Sequence, residues 1–512
     1  MRENLTEAPA GRSPPHRTGL GAWLSGLPAR WGYVTLGVAS LLAALVTLDP
    51  QADPDLFARL AVGRLVEISG GVTDQDPFAF TPVRERWIDH EWLSGVVFWR
   101  VASLGGDLAL LGLDLLAMLA MVALVVRAQH ERSGASLGWS LLALLHVFVA
   151  WSSIVRSRAF TLVFTAVLLL ALVRWRNGRA GWLWLLPPCF LVWANAHGGF
   201  VAGLGLLGAA AAAVTLRTPR RSLPLWVCLA GSFAVTFINP YGLDYWRYIL
   251  EATGMERPFV LEWQPMQAWQ VALVAILGSV YALGAWLARS SRKVLPETLG
   301  LLAVSLWAAI DSQRLMNFLL LVLAVYGAAE YRTVVRTVAA GVPRAYRVAT
   351  SHLAGVVALA APMVLLAITA VQLGRVTSNG LGYDQYPMGA FEWLQRHGQG
   401  GRLLTHFNHG SLAIWRLYPL YRVAVDGRYE ETYREETVQL AWRALQPNAS
   451  GHDQALAEVD PDYILVPGAD WAADFRGDWV RVYADSVSAV LARPGLESTA
   501  DRPPRPMWRP GF

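Results

Sequence analysis

The amino-acid sequence predicts an all-α polytopic membrane protein with about eleven transmembrane helices, followed by a small extracytoplasmic α/β domain at the C-terminus. Two observations support this fold class. Hydrophobic residues make up 54% of the 512 positions and charged residues only 16%, a balance that is hard to reconcile with a soluble protein. The apolar residues also form long runs up to residue 374, and hydrophobicity falls sharply from residue 375 onward.

Eleven apolar runs approach the length that a helix needs to cross about 30 Å of hydrocarbon. They cover residues 31–48, 107–127, 136–155, 159–174, 180–195, 199–216, 223–238, 268–288, 297–310, 316–333 and 351–374. The main arginine clusters between the runs all fall on one side if the runs alternate in direction. Because basic loops are retained in the cytoplasm, this pattern predicts a cytoplasmic N-terminus and an extracytoplasmic C-terminus.

The two ends of the chain are predicted to be disordered. Residues 1–30 contain Pro and Arg but no apolar stretch with a cleavage site, so we interpret them as a cytoplasmic tail before an uncleaved anchor. Residues 495–512 are rich in Pro and Arg. The cytoplasmic arginine clusters explain the pI near 9.3, so the charge does not call for a nucleic-acid partner.

The loop between the first two runs, residues 49–106, carries nine Asp and Glu against five Arg. Its first part has helical spacing that predicts an amphipathic helix in the membrane interface, with Asp53 or Asp55 as N-cap. Since two carboxylates this close cannot both cap the helix, one is expected to point elsewhere. Asp74 and Asp76 flank a turn and are expected to shape it.

A second amphipathic stretch, residues 87–99, has a Trp-rich apolar face that suits the headgroup layer. It contains the polar triplet Asp89-His90-Glu91. The pair Gly105-Gly106 then predicts a break before the next span.

The same side of the membrane collects polar residues from further loops, namely Arg156, Arg158, His197, Glu262 and Arg314. Charged groups at membrane depth are costly and usually face a water-filled or protein-lined cavity. The alternative for each of these residues is a purely structural role. It would be an ordinary polar residue at a helix end, or an arginine whose side chain reaches toward the membrane interface. Clustering on one side favours a common site.

Beyond residue 375 the patterns change to those of a small α/β domain, which we predict over residues 375–494. Strands are expected at 402–405, 421–425, 462–466, 479–484 and 487–492, with helices near 387–397 and 432–445. Asp426-Gly427-Arg428 follows a predicted strand end, a common place for binding groups. Ligand binding and structural salt bridging are both open there.

An ordered series of segments covers nearly the whole chain: DPDLFARLAVGRLVE, TDQDPFAFT, WIDHEWL, VRSRAFT, LVWANAHGGF, NPYG, LEWQP and VAVDGRYEETY. This series resembles bacterial members of the GT-C superfamily of membrane glycosyltransferases, relatives of the polyprenyl-phosphate-sugar-dependent mannosyl- and aminoarabinosyltransferases and of oligosaccharyltransferase. LVWANAHGGF and VDGR carry most of the resemblance. The chain departs from the pattern at Phe57-Ala58-Arg59, where relatives have an aromatic pair and His, and at Ser157-Arg158, where they have Pro-Gln.

The resemblance implies that a hexose or pentose is transferred from a polyprenyl-phosphate donor, with inversion, on the extracytoplasmic face of a bacterial inner membrane. It implies a carboxylate general base, with Asp55 as first choice and Asp53 as second. Cationic or polar groups must stabilise the departing phosphate, and the candidates are Arg156, Arg158, His197 and Arg314. The candidates for binding acceptor or metal are Glu262, Asp89, His90, Glu91, Asp426 and Arg428.

No spacing in the chain compels a metal or other cofactor. Some GT-C enzymes use a divalent cation and others do not, and oxygen ligands would favour Mg or Mn. The implied partners are the lipid-linked sugar, the bilayer, and a glycan, lipid or protein acceptor. A noncatalytic GT-C-derived scaffold stays open because of the departure at Phe57-Ala58-Arg59, whereas a transporter is disfavoured because the sequence shows no paired inverted repeats.

Overall fold

The computed structural model describes residues 52–134, 155–255, 261–290, 294–341, 386–475 and 477–497, with the single positions 41, 367, 370, 371, 374 and 383. The apolar runs predicted at 31–48, 136–155 and 351–374 lie almost entirely outside the described residues, as do both predicted tails.

Helices dominate the described chain up to residue 341. They are α1 (Pro54–Ser69), α2 (Trp92–Ser133), α3 (Arg158–Arg176), α4 (Leu186–Ala196), α5 (Phe200–Arg217), α6 (Pro219–Val235), α7 (Leu243–Gly254), α8 (Ala268–Leu287), α9 (Pro296–Asp311), α10 (Met316–Tyr326) and α11 (Ala328–Gly341). Short 3-10 helices lie at Ala180–Leu185, Leu261–Trp263 and Gln313–Leu315. Every predicted apolar run within the described residues coincides largely with one of these helices or with a consecutive pair.

Four of these helices, α2, α3, α5 and α8, are long and apolar enough to cross a membrane. The pair α10 and α11 counts as a fifth if the two are one bent span. Large apolar side chains on their outer faces are exposed, including Leu116, Leu216 and Ile276. Such faces suit contact with lipid, and the chain has the features of a multi-pass membrane protein.

The predicted glycine break is present inside α2. Gly105 and Gly106 have non-helical backbone angles, and Gly106 has φ 57° and ψ −141°, a conformation that favours glycine. The kink separates an N-terminal segment, which packs on α1, from the apolar segment that follows.

The run at 316–333, predicted as one span, is instead two helices that meet at an angle of 62°. They join at Gly327, where the ring of Tyr331 lies close enough to leave no room for a side chain. Hydropathy alone could not distinguish a bent pair from a straight span, because the two helices taken together are apolar enough to count as one span.

The C-terminal part of the chain contains a five-stranded sheet in the order β2-β1-β3-β5-β4. The strands are β1 (Gly401–Thr405), β2 (Tyr421–Val423), β3 (Tyr463–Pro467), β4 (Val480–Ala484) and β5 (Ser488–Ala492). The helices around them are α12 (Met388–Arg396), α13 (Phe407–Arg416), α14 (Tyr429–Thr432), α15 (Glu435–Ala444), α16 (His452–Val459) and α17 (Gly468–Ala473). β1 pairs in parallel with β2 and β3, whereas β5 pairs antiparallel with β3 and β4. We call residues 386–497 the C-terminal unit.

Helix α1 differs from its prediction as an interfacial helix, because it is covered by protein on both sides. Leu56, Phe57 and Leu60 are each at most 1% exposed. The helix packs between α2 and α13 of the C-terminal unit. Its apolar face, which suits a headgroup layer equally well, is therefore buried in a tertiary interface.

The first loop also joins the edge of the C-terminal sheet. The N–H of Phe80 donates to the carbonyl of Val423 at 3.1 Å, and the N–H of Val423 donates to the carbonyl of Phe78 at 3.0 Å. Ala79 thereby forms a parallel bridge with the outer strand β2. This contact places the acidic loop, α1 and the C-terminal unit in one packed body around the polar residues described next.

Candidate active site

Helix α1 begins with the two aspartates that the sequence singled out. Asp53 is the N-cap, and its carboxylate accepts a hydrogen bond from the N–H of Asp55 at 2.8 Å. The Asp53 side chain is 7% exposed, whereas the Asp55 side chain is 44% exposed. The expectation that only one of them caps the helix is confirmed, and Asp55 is the carboxylate that solvent can reach.

Arg156 lies at the centre of three carboxylates. Its Nη2 donates to Asp55, its Nη1 donates to Glu262, and its Nε lies 3.2 Å from Asp53. These groups come from the start of α1, the segment before α3, and the 3-10 helix Leu261–Trp263. All three guanidinium nitrogens therefore face a carboxylate, and we call Arg156 with these carboxylates the Arg156 cluster.

The Arg156 cluster continues into a second row of polar groups. Arg314 Nε lies 4.0 Å from Glu262, and Arg314 Nη2 lies 3.3 Å from Nε2 of His197. His197 Nε2 in turn lies 3.5 Å from the carboxylate of Glu91. One connected series thus joins Asp55 to Glu91 through side chains from distant parts of the chain.

The hydrogen bonds around His197 assign its tautomer. Nδ1 accepts from the N–H of Gly199 at 2.9 Å and lies 2.9 Å from the hydroxyl of Thr161. That hydroxyl accepts from the indole N–H of Trp193 at 2.8 Å, so its own hydrogen is free to point at His197. With Nδ1 acting as acceptor, the ring hydrogen of a neutral His197 resides on Nε2 and faces the Glu91 carboxylate, whereas Arg314, which is itself a donor, makes no hydrogen bond to that nitrogen in this tautomer.

Arg158 is the first residue of α3 and lies near the same groups. It is close enough to Glu262, Arg314 and Arg156 for their charges to act on it. Within the described part of the chain, however, its guanidinium makes neither a hydrogen bond nor an ion pair. Arg158 is therefore available for an anionic ligand in a way that Arg156 is not.

A second arginine, Arg59, holds three carboxylates in the interior. Its guanidinium, 4% exposed, donates to Asp89 and to Glu431, the latter at 2.9 Å, and its Nε lies 3.7 Å from Glu91. His90 bridges the same acids, with Nδ1 3.1 Å from Glu431. We call these residues the Arg59 cluster.

Sequence reasoning placed Asp89, His90 and Glu91 among the candidates but missed Arg59 and Glu431 as functional residues. The signal for Arg59 was present, since a cation lies among apolar positions of an amphipathic helix. Its partners could not be identified, because Glu431 lies 372 positions away in the sequence.

The charges of these clusters perturb several pKa values. Burial raises the pKa of the Asp53 carboxyl to about 7, against the lowering effect of Arg156. Burial also acts to raise the pKa of Glu262, but Arg156, Arg314 and Arg158 outweigh it and lower that pKa to about 2. In the Arg59 cluster, burial lowers the pKa of His90, yet the Glu431 carboxylate more than compensates and the His90 pKa is raised.

Asp426 and Arg428, which were candidates for binding an acceptor or metal, form an ion pair that is completely buried. Arg428 donates to both Asp426 oxygens at 2.8 and 2.6 Å and also pairs with Asp76. Their side chains are 0% exposed. The guanidinium packs on the rings of Phe78 and Trp87, 4.9 Å from each centroid, so these residues join the first loop to the C-terminal unit.

An open groove with a mainly apolar lining lies between the start of α2, helix α4 and the segment after α6. Its cavity of about 270 Å³ is lined by Trp92, Leu93, Leu191, Val192, Asn195, Ile238, Asn239 and Pro240. Val192 and Ile238 are 45% and 61% exposed, so the groove opens toward the outer surface of the helices.

The residues that could hold a metal are those of the two arginine clusters. Within the described ranges, however, no group of three or more His, Cys, Asp or Glu side chains has a metal-binding arrangement. In both clusters the carboxylate oxygens face an arginine guanidinium, that of Arg156 or that of Arg59.

Comparison with known proteins gives a fold relationship. No protein-family model matches the chain, and no curated protein sequence matches it. The oligosaccharyltransferase of Archaeoglobus fulgidus, tethered with an acceptor peptide, has a TM-score of 0.55 at 12% identity, with 95% of this chain and 77% of that chain covered. ArnT from Cupriavidus metallidurans bound to undecaprenyl phosphate has a TM-score of 0.53 at 16% identity, with 91% and 99% covered. The chain therefore shares its overall fold with oligosaccharyltransferase and with ArnT.

Proposed function

We propose that this chain is a GT-C-type membrane glycosyltransferase that moves a sugar from a polyprenyl-phosphate donor to an acceptor. Its fold likeness to oligosaccharyltransferase and ArnT, both glycosyltransferases, supports the class. The single observation that carries the proposal is the connected series from Asp55 to His197. It brings an exposed carboxylate, the Arg314 guanidinium and an imidazole N–H to one site, and Arg158 lies near the same groups.

Asp55 is the general base in this proposal. A general base must reach the acceptor hydroxyl, and Asp55 is the more exposed of the two aspartates. Arg156 fixes the position of the Asp55 carboxylate while one of its oxygens stays free of that bond. Asp53 has a structural role instead: as the N-cap, it orients the first turn of α1.

The donor phosphate is bound by Arg158, Arg314 and the Nε2–H of His197. Guanidinium groups pair with phosphate oxygens through two parallel hydrogen bonds, and both arginines are partly exposed. Arg156, which the sequence suggested as a phosphate ligand, instead positions the surrounding carboxylates in this proposal, because each of its guanidinium nitrogens already faces one of them.

The reaction follows as a single displacement. The acceptor hydroxyl attacks the anomeric carbon, and its proton passes to Asp55 as the new glycosidic bond forms. The bond between the anomeric carbon and the phosphate oxygen breaks, so polyprenyl phosphate leaves with the bonding electrons. Arg158, Arg314 and His197 stabilise the charge on that phosphate, and the anomeric configuration inverts.

The isoprenoid chain of the donor occupies the apolar groove that begins at Trp92. Trp92 in the groove lining directly follows Glu91, which lies 3.5 Å from His197, and the groove opens at Val192 and Ile238 on the outer surface of the helices. An isoprenoid chain that enters there exchanges contacts with lipid for packing contacts with protein, so shape complementarity rather than removal from water favours its binding.

The remaining parts of the proposal rest on the arginine distribution for orientation, on the sequence resemblance for sugar and acceptor, and on the ion pairs for the other polar residues. The site faces the extracytoplasmic side of a bacterial cytoplasmic membrane, with the N-terminus in the cytoplasm. The transferred sugar is a hexose or pentose, and the acceptor is a glycan, lipid or protein. Glu262 holds Arg156 and Arg314, while Asp89, His90, Glu91, Asp426 and Arg428 hold the C-terminal unit beside the site.

Undecaprenyl phosphate binding tests the phosphate site directly. In the purified full-length protein, Arg158→Ala or Arg314→Ala should each weaken binding by about ten- to a hundredfold, since a hydrogen bond to a charged group is worth about 1.5–3 kcal/mol. The control is Arg100→Ala, because Arg100 lies in α2 outside the site, is 68% exposed and, among the described residues, forms its ion pair with Glu67. Equal binding by all three variants would place the phosphate elsewhere.

Asp55→Asn separates binding from chemistry. This variant should bind undecaprenyl phosphate like the wild type but lose sugar transfer in membranes supplied with polyprenyl-phosphate sugars. Asp74→Asn is the matched control, because Asp74 is an exposed carboxylate of the same loop that pairs with Arg86. Full transfer by Asp55→Asn would remove Asp55 as the base, and the absence of any transfer by the wild type would favour the noncatalytic scaffold.

A further inference from the structure

The Arg156 cluster has the composition of a divalent cation site, but its centre is a side chain. Asp53, Asp55 and Glu262 come from separate positions and direct carboxylate oxygens at one point. Converging carboxylates of this kind are typical ligands of Mg²⁺ and Mn²⁺. Here the point of convergence is the guanidinium of Arg156.

The three carboxylates do not fit a metal ion while Arg156 is in place. Mg²⁺ would need oxygens at about 2.0–2.1 Å in near-octahedral geometry. One oxygen of each acid is directed at the guanidinium, and the Asp53 oxygen also accepts the N–H of Asp55. An ion bound to the same oxygens would have to displace the arginine.

Nearby charge also opposes a divalent ion. Besides Arg156, the positive charges of Arg158 and Arg314 also act on Glu262. With Arg156 they supply three positive charges against the three carboxylates. The cluster therefore carries no excess negative charge that would attract a divalent ion.

We propose that Arg156 is the resident cation of this site, binding Asp53, Asp55 and Glu262 where a divalent ion would otherwise bind them, so that no Mg²⁺ or Mn²⁺ is taken up there. The inference concerns the site of the proposed glycosyltransferase, but the metal binding it describes can be measured without any sugar transfer. A guanidinium has a fixed planar fork, so it also holds the three carboxylates in one geometry.

Removal of Arg156 should convert the cluster into a metal site. Arg156→Ala leaves three carboxylates close together without their cation, and ligand charge count raises affinity for divalent ions. Mn²⁺ binding by the purified full-length protein can be followed by electron paramagnetic resonance, which counts free and bound ions. We expect Arg156→Ala to bind one Mn²⁺ per chain at least about tenfold more tightly than the wild type.

Two controls make the experiment specific. Arg158→Ala removes an adjacent arginine that makes no ion pair within the described residues, so it should not create a Mn²⁺ site. The double variant Arg156→Ala with Glu262→Gln removes one of the three acids and should lose the new site. Arg156→Gln, which keeps two N–H donors, replaces Arg156→Ala if melting curves show that the latter does not fold.

The wild-type measurement is decisive by itself. Stoichiometric Mn²⁺ in the wild type that is lost in Glu262→Gln would overturn the proposal, because the metal would then displace Arg156. A folded Arg156→Ala or Arg156→Gln variant that binds no more Mn²⁺ than the wild type would overturn it as well. Failure of undecaprenyl phosphate binding or sugar transfer would count against the proposed function and leave the metal result unaffected.

Discussion

Asp53 is a buried carboxyl group, and burial disfavours its ionised form. Its side chain caps α1 and lies 3.2 Å from Arg156, yet burial raises its pKa to about 7. A carboxyl with a raised folded-state pKa contributes stability that is complete below the unfolded pKa of about 3.9 and is lost as the pH rises toward the folded value. Asn caps helices as well as Asp does, so Asp53→Asn removes the charge and keeps the cap.

We therefore expect the melting temperature of the wild type to fall relative to that of Asp53→Asn between about pH 4 and about pH 7. Above about pH 7.5 the difference should become constant, because Asp53 is then ionised in both states. Melting curves of both proteins in one detergent measure this directly. A difference that does not change with pH would show that Asp53 keeps an ordinary pKa.

At the scale of elements, the position of Asp55 depends on how α1 crosses α2. An added methyl group at Gly63 of α1 would overlap the backbone carbonyl of Gly95 in α2, and one at Gly95 would lie 2.7 Å from the Arg59 carbonyl. The two backbones touch because neither residue has a side chain, as in many helix pairs of membrane proteins. The crossing fixes the direction of α1 and therefore of its first turn.

Gly63→Ala should destabilise the protein by about 1–3 kcal/mol, because the overlapping atoms belong to the backbone and cannot rotate away. It should also reduce transfer by displacing Asp55. Gly112→Ala in α2 is the matched control, since nothing lies within 4 Å of its added methyl group and alanine favours helix. Equal melting temperatures for the two variants would contradict the close crossing.

The helices and strands themselves were largely predictable from the sequence. The predicted strand at 462–466 corresponds to β3, and the glycine break at 105–106 is where α2 kinks. Local pattern carries this information because apolar runs and glycine pairs act over a few residues. The burial of α1 was not predictable, since an amphipathic helix has the same pattern whether lipid or protein covers it.

At the scale of the whole molecule, arginines join the acidic loop to the C-terminal unit. Arg59 reaches Glu431, and Arg428 reaches Asp76 across the same interface. The sequence itself shows the excess of acids in the loop, and its resemblance to GT-C enzymes predicted many of the residues of the site. The pairing itself depends on contacts between residues hundreds of positions apart, which a single sequence does not reveal.

Glu431→Gln should loosen the C-terminal unit from the first loop. Arg59 and His90 each lose one carboxylate partner here, although Arg59 keeps Asp89 and both keep Glu91, so the cost should be less than the about 3–5 kcal/mol of an unpaired buried charge. Glu436→Gln is the control, because it makes the same change at an exposed position of the same unit. Hydrogen exchange of the Phe80 and Val423 amides, which bridge the two parts, should become faster in Glu431→Gln alone. Unchanged exchange at both amides would mean that the apolar contacts hold the interface without the ion pair, and that the Arg59 cluster serves the site rather than the docking.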